Sequence, residues 1–146
     1  MKTLLLFVVF TLGLSASPWE ANFENAKKIA KEKNQLILLN FSGSDWCIPC
    51  IRMHKEIFTD AGFLKMAEQN LVLVNADFPR NKKNQLPVEI KKQNEALADQ
   101  YNPGGRFPYT VLLNAEGKVV KTWEGLPDET PTQFAATLKQ ICDANH

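Results

Sequence analysis

The sequence predicts an α/β fold, with a mixed central sheet and helices on both of its faces. Three observations lead there. Two short apolar runs, Leu36 to Phe41 and Leu71 to Ala76, are separated and flanked by amphipathic stretches of helical period. Two later strand-like runs are joined by four residues ending in glycine, which suits an antiparallel hairpin. A further amphipathic helix closes the chain, so a βαβ half is followed by a ββα half.

In chain order, Phe23, Ala26, Ile29 and Ala30 recur at helical spacing among lysines and glutamates, predicting a helix over Trp19 to Lys33. Asn34-Gln35 breaks it. LILLNF (Leu36 to Phe41) is a short run, apolar but for Asn40, as a buried strand is. SGSDWCIPC then opens a helix running to about Phe58, with Ser44 or Asp45 as its expected cap. A short helix over Asp60 to Gln69 leads to the second buried strand, LVLVNA. Phe78 to Pro87 is polar and bounded by proline, so it reads as a loop. Val88 to Tyr101 is a helix with Ile90, Leu97 and Tyr101 inward, stopped by Asn102-Pro103-Gly104-Gly105. Tyr109 to Leu113 and Lys118 to Trp123 form the hairpin around Asn114-Ala115-Glu116-Gly117. Thr130 or Pro131 starts the last helix, whose apolar stripe is Phe134, Leu138 and Ile141.

A length of 146 residues suits one compact domain with a short appendage. The net charge of +1 gives no electrostatic reason to expect nucleic acid or acidic lipid as a partner. The start is distinctive: Met1-Lys2, then the apolar TLLLFVVFTLGL, then Ser15, Ala16 and Ser17 before Pro18. Charge, apolar run and small residues in that order predict a secretory signal. A membrane anchor is the alternative, but the run falls short of the roughly 20 residues a spanning helix needs. The expected division is a signal peptide at 1–17 and one domain at 18–146, placing the mature protein in the periplasm or outside the cell.

Export changes the meaning of the three cysteines, Cys47, Cys50 and Cys142, because thiols there oxidise unless something reduces them. An odd count argues against a disulfide framework. A bridge between Cys47 and Cys50 would close too small a loop to stabilise the fold appreciably. Metal is one reading of the pair, with His54 four residues on as a third ligand, but no second pair completes a structural zinc site. Redox exchange is the other. A helix N-terminus stabilises a thiolate through free N–H groups and the dipole. Cys47, at the helix entrance, would attack a substrate disulfide, and the more shielded Cys50 would resolve the mixed disulfide. Pro49 pre-sets the first turn, and Trp46 would cover one side of the sulfurs. Cys142 beside the last apolar stripe is expected to be buried and inert.

SDWCIPC behind LILLNF, with RFPYTVLLNAEGK about sixty residues on, resembles the thioredoxin superfamily. Asp77-Phe78-Pro79 and NEALADQY are similar to segments of exported bacterial thioredoxin-like thiol:disulfide oxidoreductases, the DsbH-like proteins and the C-terminal domain of DsbD among them. The resemblance implies a thioredoxin-like fold and a cis Phe107-Pro108 bond facing the cysteines, with the Phe107 backbone pairing with the substrate strand. It also implies no cofactor beyond the Cys47–Cys50 couple, client proteins with disulfides as substrates, and a membrane thiol reductant as electron donor. A monomer is expected. Two departures stand out. Relatives often carry a buried aspartate, the resolving cysteine's proton acceptor, where this chain has Asn40. Proton handling would then pass to water or to Glu56. Strong oxidants tend to carry a histidine between the cysteines, whereas Ile48 offers neither charge nor donor. A reductase is therefore favoured over an isomerase or oxidase, with a non-catalytic chaperone or metal-binding module as the alternative from another class.

Overall fold

The computed structural model describes residues 17–145. The expected signal segment therefore lies, except for Ser17, outside the described residues. The elements run α1 (Phe23–Lys33), β1 (Leu36–Ser42), α2 (Ile48–Met53) continued by a π-helical turn (His54–Phe58), α3 (Ala61–Asn70) and β2 (Leu71–Asp77). After a 3₁₀ turn (Lys82–Asn84) come α4 (Val88–Tyr101), β3 (Tyr109–Leu113), β4 (Val119–Glu124) and α5 (Pro131–Asp143).

The sheet order is β2-β1-β3-β4. β1 pairs parallel with β2 and antiparallel with β3, and β3 pairs antiparallel with β4. β1 is central and every one of its residues is buried, which explains why its sequence shows no polar alternation. Its side chains nevertheless divide by parity. Ile37, Leu39 and Phe41 meet Phe23, Ala26 and Ala30 of α1 and Leu97 of α4. Leu36 and Leu38 face the opposite way, toward Met53, Phe63 from α3 and Phe134 and Leu138 from α5. The mixed sheet with helices on both faces is as the sequence predicts.

Local differences have local causes. The first helix starts at Phe23 rather than Trp19, because the Asn22 side chain caps it by accepting the Asn25 N–H at 2.8 Å. Trp19 instead bridges Leu73 on the outer edge of β2, and the Glu20 N–H reaches the Leu73 carbonyl at 2.8 Å. The helix begun by α2 reaches Phe58 as expected, but its last turn widens to π geometry, which buries Ile57 and Phe58 while leaving His54 exposed. In α5 the buried stripe is Phe134, Ala135, Leu138 and Cys142, with Ile141 half-buried. Thr130 caps this helix in a reciprocal capping box with Gln133.

Candidate active site

β1 ends at Ser42, and the turn Gly43-Ser44-Asp45-Trp46 carries the chain to Cys47. Neither Ser44 nor Asp45 caps α2. The cap is Cys47 itself, whose Sγ accepts the Cys50 N–H at 3.3 Å, with Pro49 in the first turn. Cys47 and Cys50 are joined as a disulfide, their Cα atoms 5.2 Å apart. Both are covered, at 5% and 3% exposure, so the contrast in shielding expected from sequence is slight in this oxidised state. Ile48 between them stands out at 67% exposure.

Ser44 and Asp45 brace the turn instead. Ser44 donates both its N–H and its hydroxyl to Asp77, at the end of β2. The Asp45 carboxylate accepts the Arg80 and Asn81 N–H groups, each at 2.9 Å, and the Asn84 Nδ2–H at 3.0 Å. Those bonds, the Arg80 N–H foremost, hold its carboxyl below the usual carboxylate range. Trp46 is pinned from three sides: its Nε1–H donates to the Phe78 carbonyl at 2.8 Å, the Arg80 guanidinium lies 3.8 Å above the ring, and Phe107 packs edge-on at 5.4 Å. Gly43 lets the indole lie against the backbone, since a Cβ there would fall within the ring.

The Phe107-Pro108 bond is cis. Strand register brings it to the site: Tyr109 pairs with Phe41 and Thr110 with Asn40, so Pro108 lies at the end of β1 from which the cysteine turn departs. Phe107 also packs on Phe78 at 5.6 Å, making one aromatic cluster of three rings from the cysteine turn, the 78–87 loop and the segment before β3.

Behind the cysteines lies a cleft of about 280 Å³, lined by Cys50 and His54 and by Asn40, Ser42 and Asn75 among others. Asn40, Asn75 and Thr110 stand side by side on adjacent strands. The Asn40 Nδ2–H donates to Asn75 Oδ1 at 3.0 Å, and the Thr110 hydroxyl donates to Asn40 Oδ1 at 3.2 Å. Glu56 is not part of this cleft; Arg52 holds it on the exposed side of the helix, Nε to Oε1 at 3.0 Å. The sequence reading missed the Asn75 and His54 lining and the Asp45 brace. Asn75 had a signal, since each of the two buried strands carries one asparagine at the same place, and parallel pairing puts them opposite. Asp45's partners are more than thirty residues away and left no local trace.

Cys142 is fully buried on the inner face of α5, and burial, with the Asp143 carboxylate adding to it, pushes its thiol up to about 11. Among the described residues there is no cluster of three His, Cys, Asp or Glu that could hold a metal ion, and no helix long and apolar enough to cross a membrane.

Over 100 residues the chain is 39% identical to the disulfide bond reductase DsbH of Chlamydia pneumoniae, a match covering 68% of this chain and 58% of that protein. It is 27% identical over 128 residues to the thioredoxin-related protein DsbJ of the same organism, covering 87% of this chain and 36% of that one. The chain thus spans less than two thirds of the length of either curated relative. A solved DsbH oxidoreductase superposes with a TM-score of 0.77 at 31% identity, covering 86% of this chain and 83% of that chain. The family model described as a thioredoxin-like domain matches residues 23–141, from the first helix through almost all of the last. Sheet order, the dithiol pair at the strand-to-helix turn and these matches agree: the chain is a DsbH-like member of the thioredoxin-like domain family.

Proposed function

We propose that this protein is an exported thiol:disulfide oxidoreductase that reduces disulfides of client proteins. The observation that carries the reading is the position of Cys47, which caps α2 and is bonded to Cys50 one turn on. The reduced Cys47 thiolate attacks one sulfur of a client disulfide. A Cys47–client bond forms, and one client thiolate leaves. Cys50 then attacks the Cys47 sulfur, closing the Cys47–Cys50 bond and releasing the second client thiol. Two electrons pass to the client, and the disulfide seen here is the oxidised end of that cycle. A dithiol donor must reduce it again. The charge, apolar run and small residues at the N-terminus support export to the periplasm or outside the cell, where a membrane thiol reductant would fill that role. Trp46, Phe107 and Pro108 would receive the client strand, with Ile48 making the first apolar contact.

What surrounds the sulfur supports this direction of flow. Ile48 brings no positive partner to the thiolate, so the reduced form gains little extra stability and the couple is a reductant. The curated relative named a disulfide bond reductase supports this direction. Equilibration with glutathione, followed by counting free thiols, tests it. The expected potential lies nearer the roughly −270 mV of thioredoxin than the roughly −120 mV of strongly oxidising members, a gap of about 7 kcal/mol for two electrons. A value at the oxidising end would make the protein a disulfide donor and end the reductase reading.

A further inference from the structure

Resolution of the mixed disulfide requires Cys50 to lose a proton, because the thiolate is the nucleophile. Cys50 is only 3% exposed, so that proton must leave through whatever lines its surroundings. Cys50 lines the cleft of about 280 Å³ between β1, β2 and the helix that follows the cysteine turn, ample for several waters. No carboxylate lines it. Asn40 offers an amide, which is no base, and both its polar atoms are already bonded to Asn75 and Thr110. Lys55 brings donors and no acceptor. The nearest carboxylate on an adjoining strand, Asp77, stands behind Ser44 and accepts from the Ser44 N–H, the Ser44 hydroxyl and the Phe78 N–H. Glu56 is turned away toward Arg52. That leaves His54. It lines the same cleft, lies four residues after Cys50 with its N–H on the Cys50 carbonyl, and its ring has no hydrogen-bond partner among the described residues. Residues four apart on a helix share a face, with Cβ atoms roughly 5–6 Å apart.

We propose that the cleft behind Cys50 is a proton-transfer site, in which the His54 imidazole accepts the Cys50 thiol proton through cleft water as Cys50 attacks. The proposal rests on the exchange reading above. As the Cys50–Cys47 sulfur bond forms and the Cys47–client bond breaks, the electron pair leaves on the client thiolate and the proton resides on His54. When a dithiol donor reduces the couple, His54 returns the proton to the Cys50 sulfur. Ser42, Ser44 and Asn75 line the cleft with polar groups that order the water between them, and Lys55 in the same lining favours the thiolate over the thiol.

A chromogenic aromatic disulfide, dithiobis-nitrobenzoate, separates the two steps. Mixed with the reduced protein in a stopped-flow instrument, it releases one coloured thiol on attack by Cys47 and a second when Cys50 resolves the intermediate. In His54→Gln the second release is expected to slow by roughly 100-fold, the low end of general-base effects, while the first stays within about twofold, since it does not involve that proton. Free imidazole should restore the second release in His54→Ala, which a structural role would not permit. Equal second-phase rates in parent and His54→Gln overturn the proposal, as does a comparable slowing of the second release in Asp77→Asn instead. Absence of any second release from the parent defeats the exchange reading itself, a separate outcome.

Discussion

Gly43→Ala is the smallest change that should disturb the site, and its size can be worked from the structure. A Cβ at this position lies 2.6 Å from both Cζ2 and Nε1 of Trp46, well inside contact distance. The indole cannot swing aside cheaply, because its Nε1–H is bonded to the Phe78 carbonyl at 2.8 Å and Arg80 and Phe107 close on its faces. Overpacking of this kind costs about 1–3 kcal/mol, and giving up the indole hydrogen bond adds about 1 kcal/mol. The sum is about 2–4 kcal/mol. For a domain of this size, at about 3 °C per kcal/mol, the midpoint should fall by roughly 6–12 °C. Thermal and urea unfolding followed by circular dichroism read the stability, and tryptophan emission reads the displaced ring. Insulin-type disulfide reduction with a dithiol donor should fall as well, since the ring next to Cys47 has moved. Gly104→Ala is the control: its nearest neighbour is 3.6 Å from the new Cβ, and its stability should stay within about 0.5 kcal/mol of the parent. If Gly43→Ala also stays within that range with unchanged emission, the Trp46 ring is not held in place by the Phe78, Arg80 and Phe107 contacts.

Cys50→Ser should accumulate mixed disulfides with clients through Cys47, and Cys47→Ser should accumulate none. In mass maps of the alkylated protein, Cys142 should stay unmodified near neutral pH until urea is added, being fully buried with its thiol pushed up to about 11; native labelling there contradicts its packing. Asp45 gives a pH test. Its folded carboxyl lies below the ordinary value, so the stability it contributes is complete above the unfolded pKa of about 3.9 and is lost as pH falls through the folded value. The gap in urea midpoint between the parent and Asp45→Asn should therefore be present at pH 7 and shrink below about pH 4. A pH-independent gap would show that ionisation of Asp45 is not what braces the 80–84 loop.

The strands and helices were legible because their causes are local. LILLNF and LVLVNA are too short and too uniformly apolar to be surface helices, and the hairpin glycine, Gly117, does sit at φ +84°, where a side chain is disfavoured. The exchange pair was legible too, since spacing, proline and the strand-to-helix position are all written within seven residues. Capping was misread at Ser44 and Asp45 because both are good caps by type, yet tertiary partners claim them: Asp77 takes one, and the Arg80 to Asn84 loop takes the other. Trp19 had helical spacing, but an open edge on β2 offered its backbone a bridge instead. The proton route shows the same division. From composition alone, Glu56 and His54 are both polar residues on one short helix. Which of them faces the cleft depends on helix phase against the sheet, with Arg52 one turn before Glu56 holding it outward. Apolar period and turn chemistry act over a few residues, so the sequence by itself determined the elements, their layers and the dithiol. Hydrogen bonds and clefts join residues thirty to seventy positions apart, and only the packed chain decided those, because their free energy exists only once the strands are in register.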